Sequence, residues 1–302
     1  MGVWIDTDLG ADDLFAILMA ARHGAIDGMS LSFGCTRLSE VVRTADWAAA
    51  TFGWTMPIHR GADRALLGGL ETAEAILGPR GFSARGGDPT TPAPACTRAG
   101  AAAAMAAWLA APGVEARSVL ALGPLTNLAT VVIGWPECVP RLSRVIWMGG
   151  ARDRGNHTPH AEFNAFADPE ALAALVARGV PLTIADLTAC RAVTIDERAV
   201  ARVAAGAGPN ATTVAALLGG YLDIALSRGR SAMALYDPLA AAALIAPHLF
   251  DAAPVGLSVA LAHDGARGRT IVDRGGAANA ALLWPRDPGA IVELCLSALE
   301  RA

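Results

Sequence analysis

Short apolar runs alternate along this chain with stretches of helical periodicity, and that alternation admits few folds. Val3–Ile5 reads as a first strand, and Leu14–Arg22 as a helix with Leu14, Ile17, Leu18 and Ala21 on one face. Met29–Phe33 predicts a second strand and Glu40–Phe52 a second helix. Further strands are expected at Ser118–Leu122, Arg144–Met148, Pro181–Ala185, Leu257–Leu261 and Thr270–Val272. Helices are expected over Arg98–Ala110, Pro169–Ala177, Thr212–Leu226 and Pro238–Ile245. Strand, helix and strand in succession favour parallel βαβ units, hence an α/β fold with a mostly parallel central sheet flanked by helices. The stretch Gly78–Pro94 is dense in Gly, Pro, Ser and Thr, yet both flanks continue the same alternation. It reads as a mobile loop over a site rather than a linker. With no internal repeat, residues 1–302 are expected to form a single domain.

Composition removes several classes of function. Hydrophobic residues make up 53% and charged residues 17%, which excludes a disordered chain. The mean hydropathy of +0.40 rests largely on alanine. No apolar run approaches the ~20 residues that span a bilayer, and no basic region near Met1 predicts a cleaved signal peptide. A net charge of −4 offers no basic footprint for nucleic acid. All 24 basic residues are arginine, so Schiff-base chemistry, pyridoxal phosphate anchoring and a P-loop, which need lysine, are excluded. Five scattered cysteines with no C-x-x-C pair fit a reducing compartment and a cytoplasmic location, without a zinc site or disulfide framework.

The sequence Asp6-Thr7-Asp8-Leu9-Gly10-Ala11-Asp12-Asp13 places four carboxylates within eight residues, between a strand and a helix. The carboxyl end of a strand is where ligands bind in open α/β sheets. A hard cation wants several oxygen ligands and offsets the repulsion among carboxylates. The positive end of the helix dipole favours Asp12 and Asp13 further. A lone Asp12 would read as a helix cap, but a cap does not account for four acids. A strand ending in D-x-D also opens phosphatases with an aspartyl nucleophile. Those generally hold the phosphate with a lysine, which this chain lacks.

With these residues in view, the chain resembles the inosine–uridine-preferring nucleoside hydrolase family. The resemblance runs from D-T-D-x-G-x-D-D through Arg60-Gly61-Ala62-Asp63-Arg64, Gly123-Pro124-Leu125-Thr126-Asn127-Leu128-Ala129 and Met148-Gly149-Gly150. It continues in order through Gly155-Asn156, Ala161-Glu162-Phe163-Asn164, Asp168-Pro169-Glu170-Ala171, Asp237-Pro238 and Arg269-Thr270-Ile271-Val272-Asp273. Each motif alone is weak, and the ordered series is specific. The resemblance implies a Ca2+ ion held by Asp8, Asp13, Asp237 and the carbonyl of Thr126, with the ribose diol completing its shell. It implies that Asp12 bonds a ribose hydroxyl, that Asn156, Glu162 and Asn164 bind the rest of the sugar, and that Asp6 supports the cluster from behind. Asp8 would act as general base on water, and the substrate would be a small-molecule ribonucleoside cleaved through an oxocarbenium-like state. A homodimer or homotetramer is implied as well.

The chain departs from the family where the base is handled. Many members carry a histidine just before the aspartate-proline pair, and here that position is Tyr236. A second histidine often found after the third helix is matched by Leu77. Tyr236 can donate a proton or a hydrogen bond. Phe82 could stack on a base, although an apolar anchor is its plainer role, and His157 and His160 flank the sugar motif. The position after Gly34, usually asparagine, is Cys35, best read as a small buried spacer beside the metal site. Three functions therefore stay open: hydrolysis of ribonucleosides, hydrolysis of another N-riboside or modified nucleoside, and nucleoside or ribose binding without turnover.

Overall fold

Successive side chains of the central strands enter opposite apolar layers, so the sheet is buried on both faces. The structure is a computed structural model that describes residues 2–113 and 116–302; Met1, Val114 and Glu115 lie outside the described residues. The strands are β1 (Gly2–Thr7), β2 (Gly28–Leu31), β3 (Ile58–Arg60), β4 (Arg117–Ala121), β5 (Leu142–Met148), β6 (Leu182–Ala185), β7 (Thr194–Ile195), β8 (Met233–Ala234), β9 (Phe250–Val259), β10 (Thr270–Asp273) and β11 (Ala280–Pro285). The helices are α1 (Ala11–His23), α2 (Leu38–Phe52), α3 (Glu74–Leu77), α4 (Ala101–Ala110), α5 (Thr126–Gly134), α6 (Phe163–Ala167), α7 (Pro169–Ala177), α8 (Leu187–Cys190), α9 (Glu197–Ala204), α10 (Ala211–Leu226), α11 (Asp237–Ile245) and α12 (Pro288–Leu299). From β1, Val3 and Ile5 join one layer, while Trp4 joins the other. From β5, Ile146 and Met148 join the first layer, while Val145 and Trp147 join the second.

Nine strands form the main sheet in the order β10-β9-β11-β6-β5-β4-β1-β2-β3. All pairs from β3 across to β11 are parallel. The expected single α/β domain with a mostly parallel sheet is what the chain forms. The chain leaves β1 toward β2 on one side and later returns to place β4 on the other. The carboxyl end of β1 therefore lies at a topological switch point, where a crevice opens.

The expected helix starts and ends hold to within a few residues, with two informative differences. Helix α4 begins at Ala101 rather than Arg98, because Arg98 bridges His59 beside β3 and Gly100 turns the chain at φ +82°. The strand expected at Leu257–Leu261 is the end of a longer β9, which pairs antiparallel with both β10 and β11. Its outer half carries exposed residues from Asp251 to Pro254, so it shows little apolar signal.

Trp147 is fully buried in β5, and its indole N–H donates to the Gly123 carbonyl at 3.2 Å. A Cβ at Gly149 would fall 2.0 Å from this ring, so glycine is required there for the ring to pack. Trp147→Ala should lower unfolding stability by ~3–5 kcal/mol, measured by urea denaturation. Trp147→Phe should cost less, since it keeps most of the apolar volume and loses the hydrogen bond.

Candidate active site

The acidic loop owes its shape to one strained residue. Leu9 has φ +55°, and among the described residues it alone has positive φ without being glycine. Its side chain is buried, and its N–H donates to the Thr7 hydroxyl at 3.0 Å. A left-handed leucine costs on the order of 1–3 kcal/mol, which the surrounding packing must offset. The kink separates β1 from α1 and sets Asp8, Asp12 and Asp13 on the floor of a cavity of about 640 Å³.

Asp8 lies in a cradle of backbone. The Cys35 N–H donates to Asp8 Oδ2 at 2.6 Å. A Cβ at Gly34 would fall 1.9 Å from that same oxygen, and one at Gly123 would fall 3.2 Å from the Asp8 carboxyl carbon. Gly34 is thus needed for the carboxylate to be packed so closely, and Gly123 leaves it little room to spare. Asp8 Oδ1 is buried and finds no hydrogen-bond partner among the described residues. Asp13 is held by the Gly10 N–H, which donates to Oδ2 at 2.9 Å, and by the Thr7 hydroxyl, which donates to Oδ1. Asp237, the first residue of α11 with proline behind it, faces Asp13 closely enough for one carboxyl to hydrogen-bond the other when protonated. Asp12, Asp13 and Asp237 each offer an oxygen within 4.8 Å of the others, as do Asp8, Asp13 and the Cys35 sulfur. Two oxygens on one calcium lie at most about 5 Å apart, so these groups can share a cation. Asp12, which the resemblance assigns to the sugar, is as close to this cluster as a ligand would be.

Residues behind and beside the cluster lock it. Asp6 accepts from Ser30 and from Asn127 Nδ2 (2.8 Å), and Asn127 Oδ1 accepts from the Ala62 N–H at 2.8 Å. Asp6 thus ties β1 to the loops after β3 and β4 and does not face the cavity. Thr126 opens α5; its hydroxyl donates to Asp168 Oδ2 at 2.6 Å, and its carbonyl accepts from the Thr130 hydroxyl at 2.8 Å. Glu162 caps α6, with Oε1 accepting from the Asn164 N–H (2.7 Å) and Oε2 from those of Gly150 (2.9 Å) and Ala165 (3.0 Å). Asn164 Nδ2 donates to the carbonyls of Leu122 and Met148 at 2.9 and 3.0 Å, stapling the ends of β4 and β5. Asn156 Oδ1 accepts from the Phe163 N–H at 3.0 Å. Asn156, Glu162 and Asn164 all line the cavity.

The outer wall carries Tyr236, Leu77, His157 and four arginines: Arg154, Arg191, Arg228 and Arg230. His157 packs on Phe166, 4.4 Å between ring centroids, and lies 3.4 Å from Glu71. His160 is exposed and does not line the cavity. Phe82 is buried in the core, so it is the apolar anchor and not a stacking platform. The loop that begins at Gly78 is tethered through Arg85, which pairs with Glu197 and Asp223. Sequence reasoning missed Tyr221 and the arginines. The Tyr221 hydroxyl donates to the Ala234 carbonyl at 2.7 Å and lies 3.2 Å from Asp12 Oδ2. Both of the chain's two tyrosines line this one cavity; that scarcity was the available signal.

The family model described as inosine-uridine preferring nucleoside hydrolase matches residues 3–297. The chain belongs to this family. It is thereby an N-ribosyl hydrolase, a glycosidase acting on N-glycosyl bonds. It is 29% identical over 306 residues to a pyrimidine-specific ribonucleoside hydrolase RihA of Shewanella woodyi, covering 98% of this chain and 97% of that one. To the protein of the same name from an Enterobacter species it is 30% identical over 300 residues, covering 96% and 95%. Among solved structures, the plant nucleoside hydrolase PpNRh1 superposes with a TM-score of 0.90 at 21% identity, covering 100% of this chain and 99% of that one. A purine-preferring ribonucleoside hydrolase from Gardnerella vaginalis gives 0.90 at 21% identity, covering 99% and 98%. The structural likenesses establish the fold.

Electrostatics in this nucleoside hydrolase follow from burying like charges together. Burial first, and repulsion from Asp13 second, push Asp8 well above the usual carboxylate range. The same two causes raise Asp12 to about 7. Burial raises Asp6 to about 6 and Glu162 to about 7 against the hydrogen bonds each accepts. Burial also pushes the Cys35 thiol far up, so it stays protonated. A carboxyl whose pKa is higher folded than unfolded binds more protons in the native state, so its contribution is present below its ordinary value and lost as pH rises. In chelator, the melting temperature should therefore fall as pH rises from about 4 to about 7, the window set by Asp6, Asp12 and Glu162. Calorimetry across that range checks the sign.

Proposed function

We propose that the protein hydrolyses the N-glycosidic bond of ribonucleosides with the help of a bound calcium ion. The observation that carries this reading is Asp8 Oδ1, buried without a partner among the described residues, in a cavity lined by four other acids. A buried carboxylate oxygen left unpaired is costly, and a cation is the ligand that removes the cost. Asp8, Asp13 and Asp237 would hold the ion. The Thr126 carbonyl, which gives one lone pair to Thr130, has a second to offer. The donors Asp8, Asp13, Asp237 and the Thr126 carbonyl are all hard oxygens, which suit calcium better than zinc. When bound, the ion would neutralise the acid cluster and polarise water and the ribose hydroxyls.

Asp12 would accept a hydrogen bond from a ribose hydroxyl, with Asn156, Glu162 and Asn164 orienting the rest of the sugar. Glu162 is fixed by three backbone N–H groups, so its charge is already aimed when positive charge develops on the ring. Asp8 would take the proton from the attacking water as the bond from C1′ to the base breaks. Tyr236 is half-buried, and burial raises its phenol, so it remains a hydrogen-bond donor toward the departing base. Cys35 acts through its N–H on Asp8 and as a small spacer. The five free cysteines support a cytoplasmic setting, and among the described residues no helix is long and apolar enough to cross a membrane.

Ribose release from purine, pyrimidine and nitrophenyl ribosides should be seen with calcium and vanish in chelator. Asp8→Asn should lower kcat by ~10²-fold or more. Calcium at about 100 times its Kd should stabilise the protein by ~2.7 kcal/mol, read as a rise in melting temperature. Full turnover in chelator, or in the Asp8→Asn protein, would sink the mechanism.

A further inference from the structure

Among the described residues, four arginines that line the cavity have no carboxylate to answer them. Arg154 follows β5, Arg191 follows α8, and Arg228 and Arg230 follow α10, so three separate segments bring them to one cavity. Some arginines elsewhere close on acids, as Arg152 does on Asp186 at 2.7 Å and Arg267 on Glu170 at 2.8 Å; what sets these four apart is that they converge on one cavity beside acids they do not pair with. Among the described residues none of the four wall arginines makes such a pair, although five acids line the same cavity. Arg191 donates instead to the carbonyls of Arg154 and Gly155, at 2.8 and 3.2 Å, which fixes its guanidinium and leaves its charge uncancelled. Arg191 and Arg230 line the same cavity as Tyr236.

An uncharged nucleoside would cover part of this wall without offering the guanidinium groups anything in return for lost water. An oxyanion would meet them with charge-assisted, bidentate geometry. We propose that the preferred substrate is an N-riboside bearing an oxyanion, a carboxylate or phosphate, that binds at Arg154, Arg191, Arg228 and Arg230. This deepens the hydrolase reading and rests on it for the position of the sugar. Under the hydrolase reading Tyr236 faces the leaving group, and Arg191 and Arg230 line the cavity with it, which favours a carboxylate on the base over a phosphate on the ribose. Specificity of this kind also gives the base a firm hold where the family's usual histidines are absent.

The test compares uridine, 5-carboxyuridine and uridine 5′-monophosphate, by turnover and by equilibrium binding, in the wild type and in an Arg228→Gln/Arg230→Gln double variant. Both arginines are exposed, so the variant keeps its core. The expected result is a preference of about tenfold or more for 5-carboxyuridine over uridine, the effect of one charge-assisted hydrogen bond. The ratio should collapse toward one in the double variant and shrink with added salt. A preference for the monophosphate instead upholds the oxyanion site with phosphate as its source. Equal or better binding and cleavage of uridine overturns the proposal and leaves the hydrolase reading standing. Tighter binding of the carboxylated riboside without turnover of any riboside does the reverse. Binding of none of the three overturns both.

Discussion

The site depends on like charges held together out of water. Asp8, Asp12, Asp13 and Asp237 are brought within mutual repulsion, and burial alone pushes each toward its neutral form. Such a cluster persists only where the rest of the fold over-determines it. Here the determinants are visible: a left-handed Leu9, glycines at 34 and 123 against the Asp8 carboxylate, and N–H donors from Cys35 and Gly10. The left-handed Leu9 costs stability, and the glycines and N–H donors hold the oxygens in place before any ligand arrives. That is the arrangement expected of a preorganised cation site.

The parallel sheet makes that convergence possible. Because β1, β2, β4 and β5 point the same way, their carboxyl ends share one edge. Asp8 comes from the first of these ends, Cys35 from beyond the second, Gly123 from the third, and the Asn164 side chain bonds the last residues associated with the third and fourth. An antiparallel sheet would send half of these loops to the opposite edge. The antiparallel strands that do occur, β9 with β10 and β11, lie at the far side of the sheet from β1.

What the sequence disclosed follows the range over which each signal acts. The acidic loop was legible because its carboxylates are neighbours in the chain and sit between a strand and a helix of clear periodicity. Helix α7 was legible because Asp168 caps it and Pro169 opens it. Strand β11 was not, since it alternates weakly and depends on pairing with β6 and β9. Helix α12 carried the same Asp-Pro signature at Asp287 and Pro288 and could have been read. Tyr221 sits in an alanine- and leucine-rich helix, where it looks like core; only the approach of α10 to α1 puts its hydroxyl beside Asp12. Arg228 and Arg230 look like a solvated loop, and no local pattern aims them at a cavity.

The same distinction separates the two halves of the site. Asp8, Asp13, Glu162 and Asn164 are buried and bonded to backbone, so changing one disturbs several others. Other parts of the cavity lining come from α3 and from loop residues such as Arg154, Arg228 and Arg230, which are exposed. Substitutions there cost little folding stability, as exposed loop positions usually do. A fold of this kind can therefore keep one way of holding ribose while exchanging the chemistry of the leaving group. In this chain the same cavity that holds the acid floor is lined by a phenol, Tyr236, and by four arginines from three separate segments.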